Sequence, residues 1–297
     1  MCEIAETRPV WSEIFQGGPS AMSLGSSDHL KWAIPEEQAL PILKRAFDRS
    51  INTWDTSDVY SFGESERIIG KDVKHYNIAR ERVVIMTKCY GGIPEPADFV
   101  GLSEEERLRI LSVNDGIMVN PTGLSRKHIL DAVGASVKRL NTYIDVLQIH
   151  RLDRNTPREE IMKAMDDVVE SGKVCYIGAS SMHAWEFQVL NNIAEKHNWH
   201  KFISMQDYHS LLYREEEREM HAYCRDAGIG IIPCMAQIAI AWSLKKGVNP
   251  IVGLARVDRV DEAAQAATLA SNGLLTAEDV KYLEELYVAK QELWMVE

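Results

Sequence analysis

The stretch Ile144-Asp145-Val146-Leu147-Gln148-Ile149-His150 is a short, mostly apolar run that ends in a histidine. Two earlier runs have the same form: residues 83–88 end in Lys88, and residues 51–55 end in Asp55. Short apolar runs rich in β-branched side chains are typical of buried strands. Each of these predicted strands therefore carries an ionisable side chain at its carboxyl end, and Tyr60 follows the first of them closely.

Predicted strands and helices alternate along the chain. The helix at 125–140 places apolar side chains on one face, and Thr156-Pro157-Arg158-Glu159 predicts a capping box at the start of the next helix. Alternating strands and helices indicate βα units and a parallel sheet. The predicted strands are 52–55, 83–87, 146–149, 173–179, 202–205, 229–232 and 250–252, and the predicted helices are 35–47, 64–74, 104–111, 125–140, 156–172, 184–196, 215–225, 235–244 and 278–287.

One (β/α)8 TIM barrel accounts for this order of elements. Such a barrel takes ~250 residues, so the 297 residues fit a single domain, 1–297, with an atypical N-terminal segment at 1–20. Its first strand would be degenerate, because residues 17–24 form a poor strand sequence with a proline in its middle. The rival doubly wound dinucleotide fold would show G-x-G-x-x-G after an early strand, and the chain has no such motif.

Composition excludes several classes of partner. The net charge of −11 argues against nucleic acid or an anionic membrane as partner, and no apolar run approaches the ~18 residues of a membrane span. The N-terminus lacks the apolar core of a signal peptide. The five cysteines are scattered without a C-x-x-C pair, which favours a reducing compartment. We therefore expect a cytoplasmic protein, and composition predicts no oligomeric state.

The side chains at the strand ends suit proton transfer. In a barrel they would share one mouth, at the carboxyl ends of the strands. A tyrosine has a pKa of ~10, and a neighbouring ammonium such as that of Lys88 would lower it. Asp55 would neutralise Lys88, and His150 would orient a carbonyl oxygen. A metal-assisted hydrolase using Asp55, His150 and Asp153 is disfavoured, because no H-x-H spacing accompanies them, so no metal site is predicted.

The segment from Asp55 to Glu66, completed by Ile69-Gly70, resembles the D-T-A-x-x-Y-G-x-x-E-x-x-[LI]-G motif of the aldo-keto reductases. The strands that end in Lys88 and His150 are similar to further segments of that family. The likeness runs from about residue 21 to residue 287. It is strongest to fungal NADP-dependent members, some of which serve secondary metabolite biosynthesis.

The resemblance implies a barrel oxidoreductase that binds NADP(H) and reduces a small-molecule aldehyde or ketone. Tyr60 would be the proton donor, Lys88 would lower its pKa, Asp55 would pair with Lys88 near the nicotinamide, and His150 would orient the carbonyl. Ser180, Ser181 and Gln206 match positions that hold the carboxamide. The stretch that grips the 2′-phosphate and adenine is matched by Gly253, Leu254, Ala255, Arg256, Arg259, Asp261 and Glu262.

One departure from the family pattern leaves a second function open. After Pro233 the sequence runs directly into residues that resemble the next helix, so the long loop that straps the cofactor pyrophosphate is missing and the loop after strand 7 is short. Cofactor affinity should fall as a result. The alternative is therefore a cofactor-deficient, non-catalytic binding or regulatory barrel.

Overall fold

Eight parallel strands close into a barrel in the computed structural model of the chain, which describes residues 18–26, 32–94, 103, 116–235, 240–271, 275–285 and 287–290. Each strand pairs in parallel with its neighbours in the sequence, and the first pairs with the last. The strands are β1 (Gly18–Ser20), β2 (Thr53–Asp55), β3 (Val84–Cys89), β4 (Ile144–Ile149), β5 (Val174–Ser180), β6 (Ser204–Asp207), β7 (Gly230–Met235) and β8 (Ile251–Gly253). The (β/α)8 TIM barrel predicted from the sequence is confirmed.

Helices follow the strands and surround the barrel. Within the described residues they are α1 (Glu36–Asp48), α2 (Glu64–His75), α3 (Arg126–Leu140), α4 (Arg158–Glu170), α5 (Ala184–His197), α6 (Met220–Asp226), α7 (Ile240–Lys245), α8 (Val257–Ser271) and α9 (Ala277–Glu284). None of the helices in this part of the chain is long and apolar enough to cross a membrane.

The first strand is degenerate, as predicted, and yet it closes the barrel. Gly18, Pro19 and Ser20 pair with Ile251, Val252 and Gly253 of β8. On the other side, only Ser20 pairs with Asp55 of β2. The seam is short because a strand of three residues offers few backbone groups for pairing.

Side chains alternate between the two faces of the strands and form two separate apolar layers. Met86, Val146, Ile232 and Ile251 form one buried cluster, whereas the strand neighbours Ile85, Leu147, Ile231 and Val252 belong to the larger cluster that includes the helices. Because successive side chains of a strand point to opposite faces, the first cluster fills the barrel and the second joins its wall to the helices.

Two glycines permit close approach where a side chain would clash. A Cβ on Gly70 of α2 would lie 2.4 Å from the carbonyl oxygen of Leu140, so α2 and α3 pack closely only because this residue has no side chain. A Cβ on Gly178 of β5 would lie 2.4 Å from Ser204 Oγ.

Several predicted details are wrong. The capping box at Thr156 does not form: Thr156 Oγ1 donates to Asp153 Oδ2 over 2.6 Å, and α4 begins at Arg158 without a side-chain cap. Met235 belongs to β7 rather than to the next helix. The helix Val257–Ser271 was not predicted. The predicted helix at 104–111 lies outside the described residues.

Candidate active site

Asp55, Lys88 and His150 lie at the carboxyl ends of three adjacent strands. Asp55 is the last residue of β2, Lys88 is the penultimate residue of β3, and His150 directly follows β4. Since β2 pairs with β3 and β3 pairs with β4, the barrel brings these side chains to one sector of its mouth.

Lys88 and Asp55 form a buried ion pair. The Lys88 Nζ lies 2.7 Å from both carboxylate oxygens of Asp55 and donates to the Thr56 carbonyl oxygen over 2.9 Å. Gln148 Nε2 donates to Asp55 Oδ1 over 3.2 Å. The two charged residues are 1% and 2% exposed, respectively. Burial of an ion is costly unless it is paired and hydrogen-bonded, and here both ions meet that condition.

Tyr60 reaches the same place through a strained turn. It opens the 3₁₀ turn Tyr60–Gly63 between β2 and α2. The next three residues are left-handed, with φ of 47° at Ser61, 54° at Phe62 and 82° at Gly63. Left-handed non-glycine residues cost of order 1–3 kcal/mol each and persist only where the surrounding fold holds them. The surrounding fold therefore holds this turn in a backbone conformation that its residues would not favour on their own.

The Tyr60 ring faces both the ammonium and the imidazole. Lys88 Nζ lies 5.4 Å from the centroid of the Tyr60 ring. The His150 ring centroid lies 5.9 Å from that of Tyr60, and the two rings are nearly perpendicular, at 82°. An ammonium at this distance stabilises a phenolate relative to a phenol. The arrangement therefore suits a tyrosine that gives up a proton.

His150 is neutral at ordinary pH. Burial, followed by the charges of Lys88 and Arg151, lowers its pKa from 6.5 to about 3. A neutral imidazole has one N–H and one acceptor nitrogen, so its hydrogen-bond partners decide which nitrogen carries the proton. Nδ1 lies 3.2 Å from Ser57 Oγ. Nε2 is therefore the ring nitrogen available to a ligand.

A layer of buried charge lies behind the site. Glu66 on α2 accepts from Thr87 Oγ1 over 2.6 Å and from Arg139 Nε over 2.5 Å. Burial, and then the charge of Glu66, raises the pKa of Asp58 to about 8. Asp58 and Glu66 both fall inside the motif that drew attention to Asp55 and Tyr60. Sequence reasoning gave them no role, and only their polar character in a mostly buried segment could have signalled one.

The residues predicted to hold the carboxamide lie at neighbouring strand ends. Ser180 ends β5, and Ser180 Oγ lies 3.0 Å from Ser181 Oγ. Gln206 lies at the end of β6, and its Nε2 is buried without a hydrogen-bond partner in the described residues. A buried amide donor without a partner is costly, and the oxygen of a ligand amide would satisfy it. Gln206 therefore fits a nicotinamide cofactor.

The residues predicted to bind the 2′-phosphate and adenine follow β8 and open α8. Arg256 pairs with Asp258, and Arg259 with Glu262; Arg256 is exposed and Arg259 is half-buried. The first turn of a helix favours an anion, and the two guanidiniums add to that preference. Gly253 and Ala255 are exposed near this helix start.

Two residues of that predicted set have other contacts here. Leu254 is buried in the large apolar cluster. Asp261 Oδ1 accepts from Arg45 Nη2 over 2.8 Å and from Arg49 Nε over 2.6 Å, so its carboxylate links α8 to the C-terminal end of α1. The predicted contact of Asp261 with a cofactor stays a prediction.

The connection after β7 is short, as the sequence predicted. β7 ends at Met235 and α7 begins at Ile240, so only residues 236–239 lie between them. A connection of this length is too short to form a long loop over the ends of β7 and β8.

Comparisons with known proteins agree with the geometry. Residues 21–236 match the model of the Aldo/keto reductase family. A versiconal hemiacetal acetate reductase of Aspergillus parasiticus is 47% identical over 325 residues, with 91% of this chain and 92% of the relative covered. Aldo-keto reductases of Alternaria alternata and Metarhizium robertsii are 40% identical over 324 and 329 residues, with 91% of this chain and 87% of each relative covered.

The same alignments bear on the short connection. Each aligned stretch is longer than the 297 residues of this chain, so the relatives carry residues that have no counterpart here. The family match ends at residue 236, where β7 passes toward α7. The match identifies an oxidoreductase of a class that acts on small carbonyl compounds with nicotinamide cofactors. The chain belongs to the aldo/keto reductase family.

Proposed function

We propose that the protein reduces an aldehyde or ketone to an alcohol with NADP(H) as cofactor. The observation that carries the proposal is the buried pair of Lys88 and Asp55 next to the Tyr60 ring, with neutral His150 on its other side. In this arrangement Tyr60 gives its proton to the carbonyl oxygen as that oxygen gains charge. Lys88 stabilises the phenolate that remains, and Asp55 holds Lys88 in place. His150 orients the carbonyl oxygen through Nε2.

The bound cofactor would supply a hydride to the carbonyl carbon. Gln206, Ser180 and Ser181 are the residues proposed to hold its carboxamide, and the start of α8 with Arg256 and Arg259 its 2′-phosphate. The unpartnered Nε2 of Gln206 supports the first assignment. The two guanidiniums at a helix N-terminus, with Arg256 exposed and Arg259 half-buried, support the second.

The proposed substrate is a small carbonyl compound of fungal secondary metabolism. The proposed cellular location of the protein is the cytoplasm. The name of the relative from Aspergillus parasiticus, a hemiacetal acetate reductase, supports the first. The thiols of Cys89, Cys175 and Cys224, which form no disulfide, support the second.

The Tyr60→Phe variant tests the proposal. It removes the transferable proton and keeps the ring, so NADPH oxidation with a panel of aldehydes and ketones should fall at least about a hundredfold. The affinity for NADPH, measured through the quenching of protein fluorescence, should be unchanged. Tyr282→Phe, a change on an exposed face of α9, is the matched control and should keep full turnover. Unchanged turnover in Tyr60→Phe would contradict the proposed proton donor.

The connection of residues 236–239 favours a second candidate function, a non-catalytic binding or regulatory barrel. Without a strap over the pyrophosphate the cofactor loses contacts on one side. Fluorescence titration separates the two candidates: no binding at millimolar NADPH would favour the non-catalytic barrel, whereas saturable binding would favour the reductase.

A further inference from the structure

Ser57 and Asp58 connect a buried carboxyl group to His150. Ser57 Oγ lies 3.1 Å from Asp58 Oδ1 and 3.2 Å from His150 Nδ1. It also lies 3.4 Å from the Lys88 carbonyl oxygen. Asp58 Oδ1 accepts from the Val59 N–H over 2.8 Å. The hydroxyl of Ser57 thus links the carboxyl group to the imidazole.

A serine hydroxyl has one proton to donate, so Ser57 donates at any moment to only one of its three neighbours. The Lys88 carbonyl oxygen is the most distant of them, so Asp58 and His150, at shorter range, compete for the proton. When Asp58 is ionised, Ser57 donates to the carboxylate, and His150 must present Nδ1–H to the Ser57 oxygen. Nε2 is then an acceptor. When Asp58 is protonated, its O–H donates to Ser57, Ser57 donates to Nδ1, and Nε2 carries the proton. Only this second state lets His150 donate a hydrogen bond to a carbonyl oxygen.

We propose that Ser57 and Asp58 are positioning residues that set which ring nitrogen of His150 carries the proton, and thereby whether His150 can donate to the substrate carbonyl. The catalytic part of this inference rests on the proposed carbonyl reduction, whereas the control of the His150 tautomer does not. Neither residue touches the substrate; both act through the imidazole.

The surroundings of Asp58 favour the protonated, donating state near neutral pH. The carboxyl group is buried, and Glu66 on α2 repels its negative charge, which together raise its pKa to about 8. Ser57, Arg139 on α3 and the Val59 N–H oppose the shift. The Cys89 thiol on β3 is also close enough to be affected by the charge of Asp58. On the imidazole side, burial and then the charges of Lys88 and Arg151 lower the pKa of His150 and keep the ring neutral. His150 therefore responds to Asp58 by moving its proton between nitrogens, without becoming charged.

Histidine ring ¹⁵N resonances report the tautomer directly, because protonated and unprotonated ring nitrogens have well-separated shifts. The experiment uses the full-length chain labelled with ¹⁵N-histidine, and the His150 signals are those lost in His150→Gln. Wild-type His150 should be the Nε2–H tautomer at pH 6.5 and the Nδ1–H tautomer at pH 9.5, with a midpoint near 8. Circular dichroism verifies that the chain stays folded at both ends of the titration.

Two variants and a matched control separate the relay from other effects. Asp58→Asn removes the ionisation, so the transition should disappear. Ser57→Ala cuts the link and should also abolish it. Asp72→Asn is the control: Asp72 is likewise a buried carboxyl on α2, with its pKa raised to about 7, but its carboxylate oxygens have no hydrogen-bond partner among the described residues. This control should keep the wild-type transition.

Kinetics give the second readout. The wild-type kcat for NADPH-dependent reduction should fall about thirtyfold from pH 7 to pH 9.5, as one group titrates near 8, with little change in KM. The profile of Asp58→Asn should lack that loss. A single His150 tautomer from pH 6.5 to 9.5 in the wild type, or a transition that persists in Asp58→Asn, would overturn the inference. Because the NMR measurement needs no turnover, it tests the control of the His150 tautomer independently of the proposed reductase activity.

Discussion

Replacing Lys88 by methionine should strongly destabilise the protein. Methionine fills nearly the volume of the lysine stem, so the change removes the ammonium with little loss of packing. The wild-type ammonium makes three hydrogen bonds, two to Asp55 and one to the Thr56 carbonyl oxygen. Its removal leaves a buried carboxylate that still accepts a hydrogen bond from Gln148 Nε2, at 3.2 Å.

The size of the effect follows from that loss. Removing one partner of a buried ion pair costs about 3–5 kcal/mol, because the other charge stays buried without compensation. The double variant Asp55→Asn/Lys88→Met has no such charge. We expect it to be at least about 2 kcal/mol more stable than the sum of the two single changes predicts, as is typical of residues in direct contact.

Urea unfolding at pH 7, followed by tryptophan fluorescence and circular dichroism, measures the free energy of unfolding of all four species. The matched control is Lys127→Met in the exposed pair of Lys127 with Asp131, which has a similar separation of 2.6 Å but side chains that are 66% exposed. That change should cost less than about 1 kcal/mol. A loss below about 1 kcal/mol in Lys88→Met, or simple additivity in the double variant, would refute the reasoning.

Two other buried carboxyl groups give predictions of their own. Burial raises the pKa of Asp72 from 3.8 to about 7, so the folded state holds a proton that the unfolded state has lost, and stability falls as pH rises from about 4 to 7. From pH 5 to pH 8 the free energy of unfolding should therefore decrease by up to about 3 kcal/mol less in Asp72→Asn than in wild type, as measured by thermal unfolding. The same decrease with pH in both proteins would argue against this. Glu66→Ala should cost about 3 kcal/mol because it leaves Arg139 and the Thr87 hydroxyl without their acceptor. Glu66→Gln keeps an acceptor for both groups and should cost less; equal losses in denaturant would contradict the argument from the lost hydrogen bonds.

The barrel and the central part of the site could be predicted because their signals are local. A run such as residues 144–150 shows both its strand character and the histidine at its end without reference to any distant residue. Parallel pairing then brings the ends of β2, β3 and β4 together as a consequence of the fold. Position along a strand is therefore enough to group Asp55, Lys88 and His150.

What the sequence did not predict depends on side-chain choices made in three dimensions. Thr156 matches a capping box, yet its hydroxyl bonds to Asp153, a competing acceptor three residues away. The link from Asp58 through Ser57 to His150 joins residues more than ninety positions apart, and no periodicity reports it. The pKa of Asp58 depends on its burial and on the charges of Glu66 on α2 and Arg139 on α3, which a linear pattern does not contain.

The three-residue strand β1 has a consequence for the order of assembly. It joins Gly18 to Ile251, residues more than two hundred positions apart, whereas β4 and β5 pair residues about thirty apart. In an open chain, closing the loop between the distant segments would cost about 2 kcal/mol more in entropy than pairing β4 with β5. So short a seam forms few contacts that could offset this cost. That penalty shrinks only when the intervening strands are already in place. We therefore expect the sheet to form first between strands that are near one another in the sequence, and to close last at the seam between β1 and β8.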